Sequence, residues 1–256
     1  MIKLTFLGTG TSQGVPVIAC DCKVCRSADT HDKRLRASAL LEVDGKVLLI
    51  DAGPDFRQQL LRAEVKRLDA ILLTHEHKDH TAGLDDVRAF NYITRRPMDI
   101  YAEARVLEAI KQEYKYVFAE YKYPGSPEMA LHVIDNQSFE IAGVCIEPVR
   151  VWHYRLPVFG FKIGALAYIT DAKTIDDKER EKLKGLDVLV VNAVKHGTHI
   201  SHFSLEEALT FINEMKPRRA YITHISHRLE QYAELQLRLP QNVFLAYDGL
   251  IVNLSQ

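Results

Sequence analysis

Short apolar runs alternate with amphipathic stretches along the whole chain. In the first half, runs of strand character cover residues 2–7, 39–43, 46–50, 70–74 and 99–101. A second set covers 139–141, 144–151, 159–163, 166–170, 188–191, 220–223 and 243–247. Between them, apolar positions recur at helical spacing over 55–65, 103–118, 174–183, 204–215 and 228–237. Asp44-Gly45, set between two strand runs, predicts a hairpin turn. Ser204 followed by Glu207 predicts a capping box at the head of a helix. Many strands mixed with amphipathic helices, without repeats or low-complexity linkers, predict an α/β (α+β) fold of two sheets covered outside by helices. No boundary interrupts the pattern, so one domain over residues 1–256 is expected.

Composition narrows the class. A chain of 256 residues with 47% hydrophobic content can bury a sizeable core. Its net charge of -1 leaves no electrostatic footprint for nucleic acid. No run approaches the ~18 apolar residues of a membrane span, and the start, Met1 to Gly8, is too quickly interrupted for a signal peptide. Of the four cysteines, three cluster within residues 20–25, which is not a secreted disulfide framework. These features predict a cytoplasmic protein without a membrane partner.

The densest chemistry is His75-Glu76-His77-Lys78-Asp79-His80, directly after the strand run Ala70 to Thr74 and before the helix-like opening Thr81 to Leu84. Imidazoles two apart can grip one ion, while the carboxylate and third imidazole, displaced along the loop, can reach a second. That spacing is a two-metal hydrolase pattern. Other ligand-type residues end predicted strands: His153 after 144–151, Asp171 after 166–170 and His224 after 220–223.

With these residues in this chain order, the sequence resembles the metallo-β-lactamase superfamily. The resemblance implies an αββα sandwich with ligands on strand-end loops along one edge. It also implies that His75, His77 and His153 hold one divalent ion, that Asp79, His80 and His224 hold the other, and that Asp171 bridges them. Zinc, manganese or iron suits such nitrogen and carboxylate donors, with zinc or manganese the expected pair.

Cys20-Asp21-Cys22-Lys23-Val24-Cys25 is a second metal signal. Three thiolates at this spacing can take three corners of a zinc tetrahedron. The fourth corner is open to Cys145, which reads as a small strand-interior hydrophobe, or to His227, which is the better candidate. The joint pattern of Leu7-Gly8-Thr9-Gly10-Thr11-Ser12, the cysteine cluster, the histidine motif and Thr223-His224-Ile225-Ser226-His227 resembles the phosphodiesterases of the carbon–phosphorus lyase pathway. That resemblance implies one structural zinc on Cys20, Cys22, Cys25 and His227. It implies a small, cyclic phosphodiester as substrate, attacked by a metal-bound hydroxide.

Lys195 to His202 places three histidines in a loop before the Ser204 helix. By position relative to that helix, His202 matches the family's catalytic histidine, with His199 and His196 as rivals for proton transfer. Asp79 and His202 are thus the candidate catalytic residues. Asp51, at the end of 46–50, is a candidate to orient a ligand histidine. Gly8 to Gly14 lacks a P-loop ending and reads as a tight turn over the site, with phosphate cradling as the alternative. Tyr114, Tyr116, Tyr121 and Tyr123, interleaved with lysines, fit a substrate wall, a nucleic-acid contact or plain helical amphipathicity. Two rival activities share the metal core: a tRNA 3′-processing endonuclease, which would need a flexible arm not seen here, and a thioester or lactone hydrolase. The expected partner is a small phosphodiester, not nucleic acid, and a homodimer is compatible with the sequence.

Overall fold

The structure, a computed structural model, describes residues 1–254. Its strands are β1 (Ile2–Gly8), β2 (Ser38–Val43), β3 (Lys46–Ile50), β4 (Ala70–Leu72), β5 (Met98–Glu103), β6 (Met129–Ile134), β7 (Phe139–Ile141), β8 (Val144–His153), β9 (Leu156–Ile163), β10 (Leu166–Tyr168), β11 (Val188–Asn192), β12 (Arg219–Thr223), β13 (Val243–Leu245) and β14 (Ile251–Leu254). The α-helices are α1 (Phe56–Arg62), α2 (Lys78–Thr81), α3 (Arg88–Thr94), α4 (Ala104–Glu113), α5 (Asp177–Lys182), α6 (Leu205–Met215) and α7 (Tyr232–Gln236).

The strands form two seven-stranded sheets, ordered β14-β1-β2-β3-β4-β5-β6 and β13-β12-β11-β10-β9-β8-β7. Strand periodicity explains the layering, because successive side chains point to opposite faces. Leu4, Phe6, Leu48 and Ile50 of the first sheet meet Phe159, Phe161, Val188 and Val190 of the second in a shared core. Their neighbours point outward: Leu49 and Ile71 pack against Phe56, Leu60, Val106 and Ile110 of α1 and α4. Leu189 and Val191 likewise pack against Ala208, Phe211 and Ile212 of α6. Burying each such side chain contributes roughly 1.5–3 kcal/mol. The layers are helix, sheet, sheet, helix, an α/β sandwich as the sequence predicts. No helix among the described residues is long and apolar enough to cross a membrane.

The hairpin at Asp44-Gly45 has φ of 49° and 74°, the left-handed pair that a two-residue turn between twisted strands requires. The capping box is present: Ser204 Oγ accepts from the Glu207 amide, and the Glu207 carboxylate accepts from the Ser204 amide. Several elements are shorter than expected, and the reason is local. The run 70–74 leaves the ladder at Leu72 because the Thr74 amide donates to Asp51 Oδ1 at 2.8 Å instead. The 103–118 helix stops at Glu113, and Tyr114 turns inward to donate its hydroxyl to the Thr81 carbonyl at 2.9 Å. Tyr121 and Tyr123 lie beyond it, 90% and 83% exposed. The edge strand β6 has no polar–apolar alternation because most of its side chains are half-buried on both faces.

Candidate metal centres

Parallel strands deliver most of the site from their carboxyl ends, where an open α/β sheet places its ligands. Asp51 follows β3, His75 to His80 follow β4, Asp171 follows β10 and His224 follows β12, while His153 ends antiparallel β8. Asp51, Asp171 and His224 adopt φ of 62°, 54° and 54°. Left-handed backbone at a non-glycine residue costs about 1–3 kcal/mol and collects where geometry serves a site. Gly53 allows a close approach that no side chain could: a Cβ there would stand 2.1 Å from the Asp79 carbonyl oxygen.

The structure brings the predicted ligands together. The rings of His75 and His77 are 4.5 Å apart, and His153 is 5.2 Å from His77 and 5.8 Å from His75. Across the cluster, the His80 and His224 rings are 5.6 Å apart. His80 Nε2 is 3.2 Å from both Asp79 Oδ2 and Asp171 Oδ2, and His224 Nδ1 is 3.4 Å from Asp171 Oδ2. Donor atoms within 4.8 Å of one another form three overlapping sets: His75, His80 and Asp171; Asp79, His80 and His224; His153, Asp171 and His202. Asp171 belongs to two of them. His77 belongs to none and joins through its ring contacts. His202 does fall in one, with Nδ1 3.5 Å from Asp171 Oδ1.

Hydrogen bonds fix the imidazole tautomers. His80 Nδ1 is 2.7 Å from Asp51 Oδ2, an acceptor, so that nitrogen carries a proton. The Thr74 hydroxyl gives its single proton to Asp51 Oδ2 at 2.9 Å, so it can only accept from His75 Nδ1, also at 2.9 Å. His153 Nδ1 donates to the Ser201 carbonyl at 2.8 Å. In all three this turns Nε2 toward the cluster, the arrangement that orients metal-binding imidazoles. The Nε2 atoms of His75 and His80 are buried and have no hydrogen-bond partner of acceptable geometry, even though carboxylate oxygens stand 3.2 Å from the latter.

The electrostatics mark the same place for positive charge. Burial opposes ionisation of His80, yet Asp79, Asp171 and Asp51 raise it well above its ordinary value in the metal-free protein. Burial likewise works against the Asp171 carboxylate, but His224 and His80 hold it well below the usual range. His75 is lowered by burial first, as is His224. Orphaned lone pairs, converging carboxylates and neutral imidazoles fit a pair of divalent ions.

The cysteine cluster is a separate site. Cys20, Cys22 and Cys25 Sγ lie 3.2, 3.5 and 3.6 Å from His227 Nδ1, so His227, and not Cys145, stands where a fourth ligand would. Cys145 does lie in β8, but contrary to the core-hydrophobe expectation its side chain is exposed: Val144 and Ile146 take the inward face. Backbone amides of Val17 and Cys25 point at Cys25 and Cys22 sulfur at 3.3 and 3.4 Å. Chiefly through the Cys25 amide, Cys22 is lowered to about 6, while burial pushes Cys25 up to about 11. A soft donor set of three sulfurs and one nitrogen fits zinc.

Several supporting residues carry no sequence signal. Arg105 ion-pairs Glu76 inside the histidine motif and donates to the Pro157 carbonyl at 2.6 Å, tying the motif to β9. Arg150 grips Glu103 with two bonds of 3.0 and 2.6 Å. Such pairs depend on chain-distant partners, which no local spacing reveals. The glycine-rich segment is a turn over the site: Thr9 Oγ1 donates to Asp248 Oδ1 at 2.8 Å, and the Ile225 amide donates to the Thr9 carbonyl at 2.8 Å.

Known proteins share this fold. The family model described as beta-lactamase superfamily domain matches residues 46–225. A crystal structure of a diphosphatase from the PhnP family superposes with a TM-score of 0.93 at 40% identity, covering 100% of this chain and 98% of that one. The chain belongs to the beta-lactamase superfamily and, within it, to the PhnP family. It is 43% identical over 252 residues to an octanoyltransferase of Porphyromonas gingivalis, covering 97% of this chain but only 51% of that protein. The chain therefore spans about half the length of that relative. A ribonuclease Z of Bradyrhizobium diazoefficiens is 32% identical over 167 residues, 63% of this chain and 49% of that protein. Family and donor set together make the protein a metal-dependent hydrolase.

Proposed function

We propose that the protein hydrolyses small phosphodiesters, cyclic ones among them, at a pair of divalent ions. The observation that carries this reading is the convergence of orphaned His75 and His80 Nε2 on the Asp79 and Asp171 carboxylates. Likeness to a named diphosphatase supports phosphorus as the attacked atom. His75, His77 and His153 would hold one ion and Asp79, His80 and His224 the other, with Asp171 shared. Zinc or manganese bound there supplies Lewis acidity toward phosphoryl oxygens and makes water ionisable near neutral pH.

The chain's own residues do the rest. Asp51, Thr74 and the Ser201 carbonyl hold three imidazoles in the ligand tautomer. His202 stands over the cluster, its ring 4.4 Å from His153 and 5.1 Å from His224. Burial lowers it to about 3, so it is neutral at pH 7 in the free site. A phosphate anion beside it would favour the charged imidazolium, placing a proton where a leaving alkoxide needs one. The cysteine–histidine site would hold a structural zinc that contributes to folding, not to chemistry.

A thioester reading draws on the octanoyltransferase match, but the other half of that protein is free to carry its activity. The cavity beside the cluster also offers only Val194 as an apolar wall for an acyl chain. A substrate panel separates the readings: cyclic ribose phosphate, 2′,3′-cyclic nucleotides, bis(p-nitrophenyl) phosphate, pre-tRNA and an octanoyl thioester. The small diesters should turn over fastest. Preferential cleavage of pre-tRNA or of the thioester would overturn the proposal.

A further inference from the structure

Of the three histidines in loop 195–202, His199 and His202 line the cavity of about 260 Å³ beside the histidine cluster, and His196 does not. The His196 imidazole instead spans two carboxylates. Its Nδ1 is 2.8 Å from Glu206 Oε1 and its Nε2 is 3.1 Å from Glu230 Oε1. A carboxylate only accepts, so with both bonds made both ring nitrogens carry protons. Glu206 stands at the head of α6, and Glu230 lies between β12 and α7, three residues after His227. Both acids are held in turn. The second oxygen of Glu206 accepts from the Gly197 amide at 3.1 Å, and Arg238 ion-pairs the second oxygen of Glu230. Burial opposes the Glu206 charge, yet the His196 bond and then nearby amides, that of Gly197 among them, bring it down to about 2.

The loop needs such a tie. Its base is closed where the Val194 and Leu205 amides donate to the Phe203 and Lys195 carbonyls at 3.2 and 3.0 Å. Its far end is pinned by the bond from His153 Nδ1 to the Ser201 carbonyl. Between these points Thr198 and Ile200 are exposed, and the backbone of 198–200 makes no hydrogen bond among the described residues. The hydrogen bonds that fasten this outer stretch to the rest of the protein are those of His196 and the Gly197 amide.

We propose that His196 is a positioning residue, clamped between Glu206 and Glu230 so that the loop holds His202 over the histidine cluster. It rests on the reading of His202 as proton donor and deepens it: His196 touches no reacting atom and acts through His202. A small displacement suffices, because a catalytic group about 1 Å out of place can cost about 10²-fold. The His196 side chain is 43% exposed, and ion pairs so placed add little to folding. Its loss should therefore be read in catalysis and not in stability.

The test measures the metal-loaded wild type, H202A, H196A and H196R on adenosine 2′,3′-cyclic phosphate and on bis(p-nitrophenyl) phosphate. H196A should keep its metals, melting temperature and KM while losing about 10–100-fold in kcat on the cyclic nucleotide. On the p-nitrophenyl diester, whose leaving group needs little protonation, the loss should shrink as it does in H202A. H196R keeps a cation that can donate to both carboxylates and should restore most of the rate. Adding E230Q to H196A should cost nothing further, since the bond it would break is already gone. Unchanged kcat in H196A, equal losses on both substrates, or failure of H196R to restore the rate overturns the clamp, and the His202 reading stands if H202A keeps its leaving-group dependence. Equal losses in H202A itself sink that reading and the clamp together. A wild type that cleaves only the activated diester has no working acid, so the clamp falls while diester hydrolysis stands. If neither substrate is cleaved, both fall.

Discussion

The two candidate metal centres are built in opposite ways. The histidine–aspartate cluster draws on strand ends from both sheets, spans residues 75–224 in sequence, and rests on left-handed backbone at Asp171 and His224. The cysteine site takes three ligands from one six-residue loop and borrows a single distant one, His227. The first is buried in a finished fold, with His75 and His80 fully enclosed. The second sits among a few small apolar side chains, Val15, Val24 and Cys25, and fastens a segment that has little core of its own. On the reading proposed above, the fold makes the first centre, whereas a zinc at the second would help make the fold. They meet in one loop, where His224 and His227 stand three residues apart.

That contrast sets the order of expected effects. Asp171→Ala should be most severe, because it removes the carboxylate shared by two donor sets. Hydrolysis of a diester should fall by at least about 10³-fold, with both exchangeable ions weakened, as loss of several kcal/mol of Lewis-acid stabilisation requires. His77→Ala should empty chiefly one position. Wild-type turnover by either variant under limiting metal would break the two-ion assignment.

His202→Ala should keep the metals and lower kcat by about 10²–10⁴-fold on an alkyl or ribose leaving group. The loss should shrink on p-nitrophenyl diesters, whose leaving group needs little protonation. Equal losses on both would show that His202 binds phosphate or supports its loop. His199→Ala, run alongside, should lack the leaving-group dependence.

Asp51→Asn tests the outer support. It keeps the shape but weakens the acceptor that holds His80 Nδ1 and the Thr74 hydroxyl. Metal affinity should drop by about 10–100-fold, the usual consequence of disturbing a ligand's own hydrogen-bond partner. An unchanged affinity by competitive titration with a chelator would remove Asp51 from the site.

The smallest effect concerns pH. In the metal-free protein Cys22 is lowered to about 6 against an ordinary value of 9. A group depressed on folding stabilises the fold above its unfolded value, so this contribution is full above about pH 9 and fades as pH falls through about 6. In Cys22→Ser the melting temperature of the metal-free protein should lose that slope between pH 6 and 9. An unaltered slope would assign the pH dependence to other groups.

Much of this contrast was legible in the sequence, for different reasons. The six-residue histidine motif and the cysteine spacing are local patterns, so reading along the chain finds them. His153, Asp171 and His224 were legible because strands end there, and a strand end aims a side chain at the sheet's edge. Arg105, Thr74 and the Ser201 carbonyl were not, since each acts through a partner fixed only by the closed fold. Strand limits failed where a site residue took the backbone donor that the ladder needed, as Asp51 does at Thr74. The exposed face of Cys145 was missed because one cysteine between two apolar neighbours does not declare its side.

The central claim, that one centre serves chemistry and the other serves the fold, is tested most directly by counting metals. Wild type, Asp171→Ala and Cys22→Ser should be purified identically and measured by elemental analysis and thermal melting. The account predicts close to three ions in the wild type. Asp171→Ala should lose the exchangeable pair with little change in melting temperature. Cys22→Ser should lose one tightly held zinc and melt lower, by about 2–4 °C per kcal/mol lost in a chain of this size. A Cys22→Ser protein that kept its full metal and its melting temperature would contradict the account.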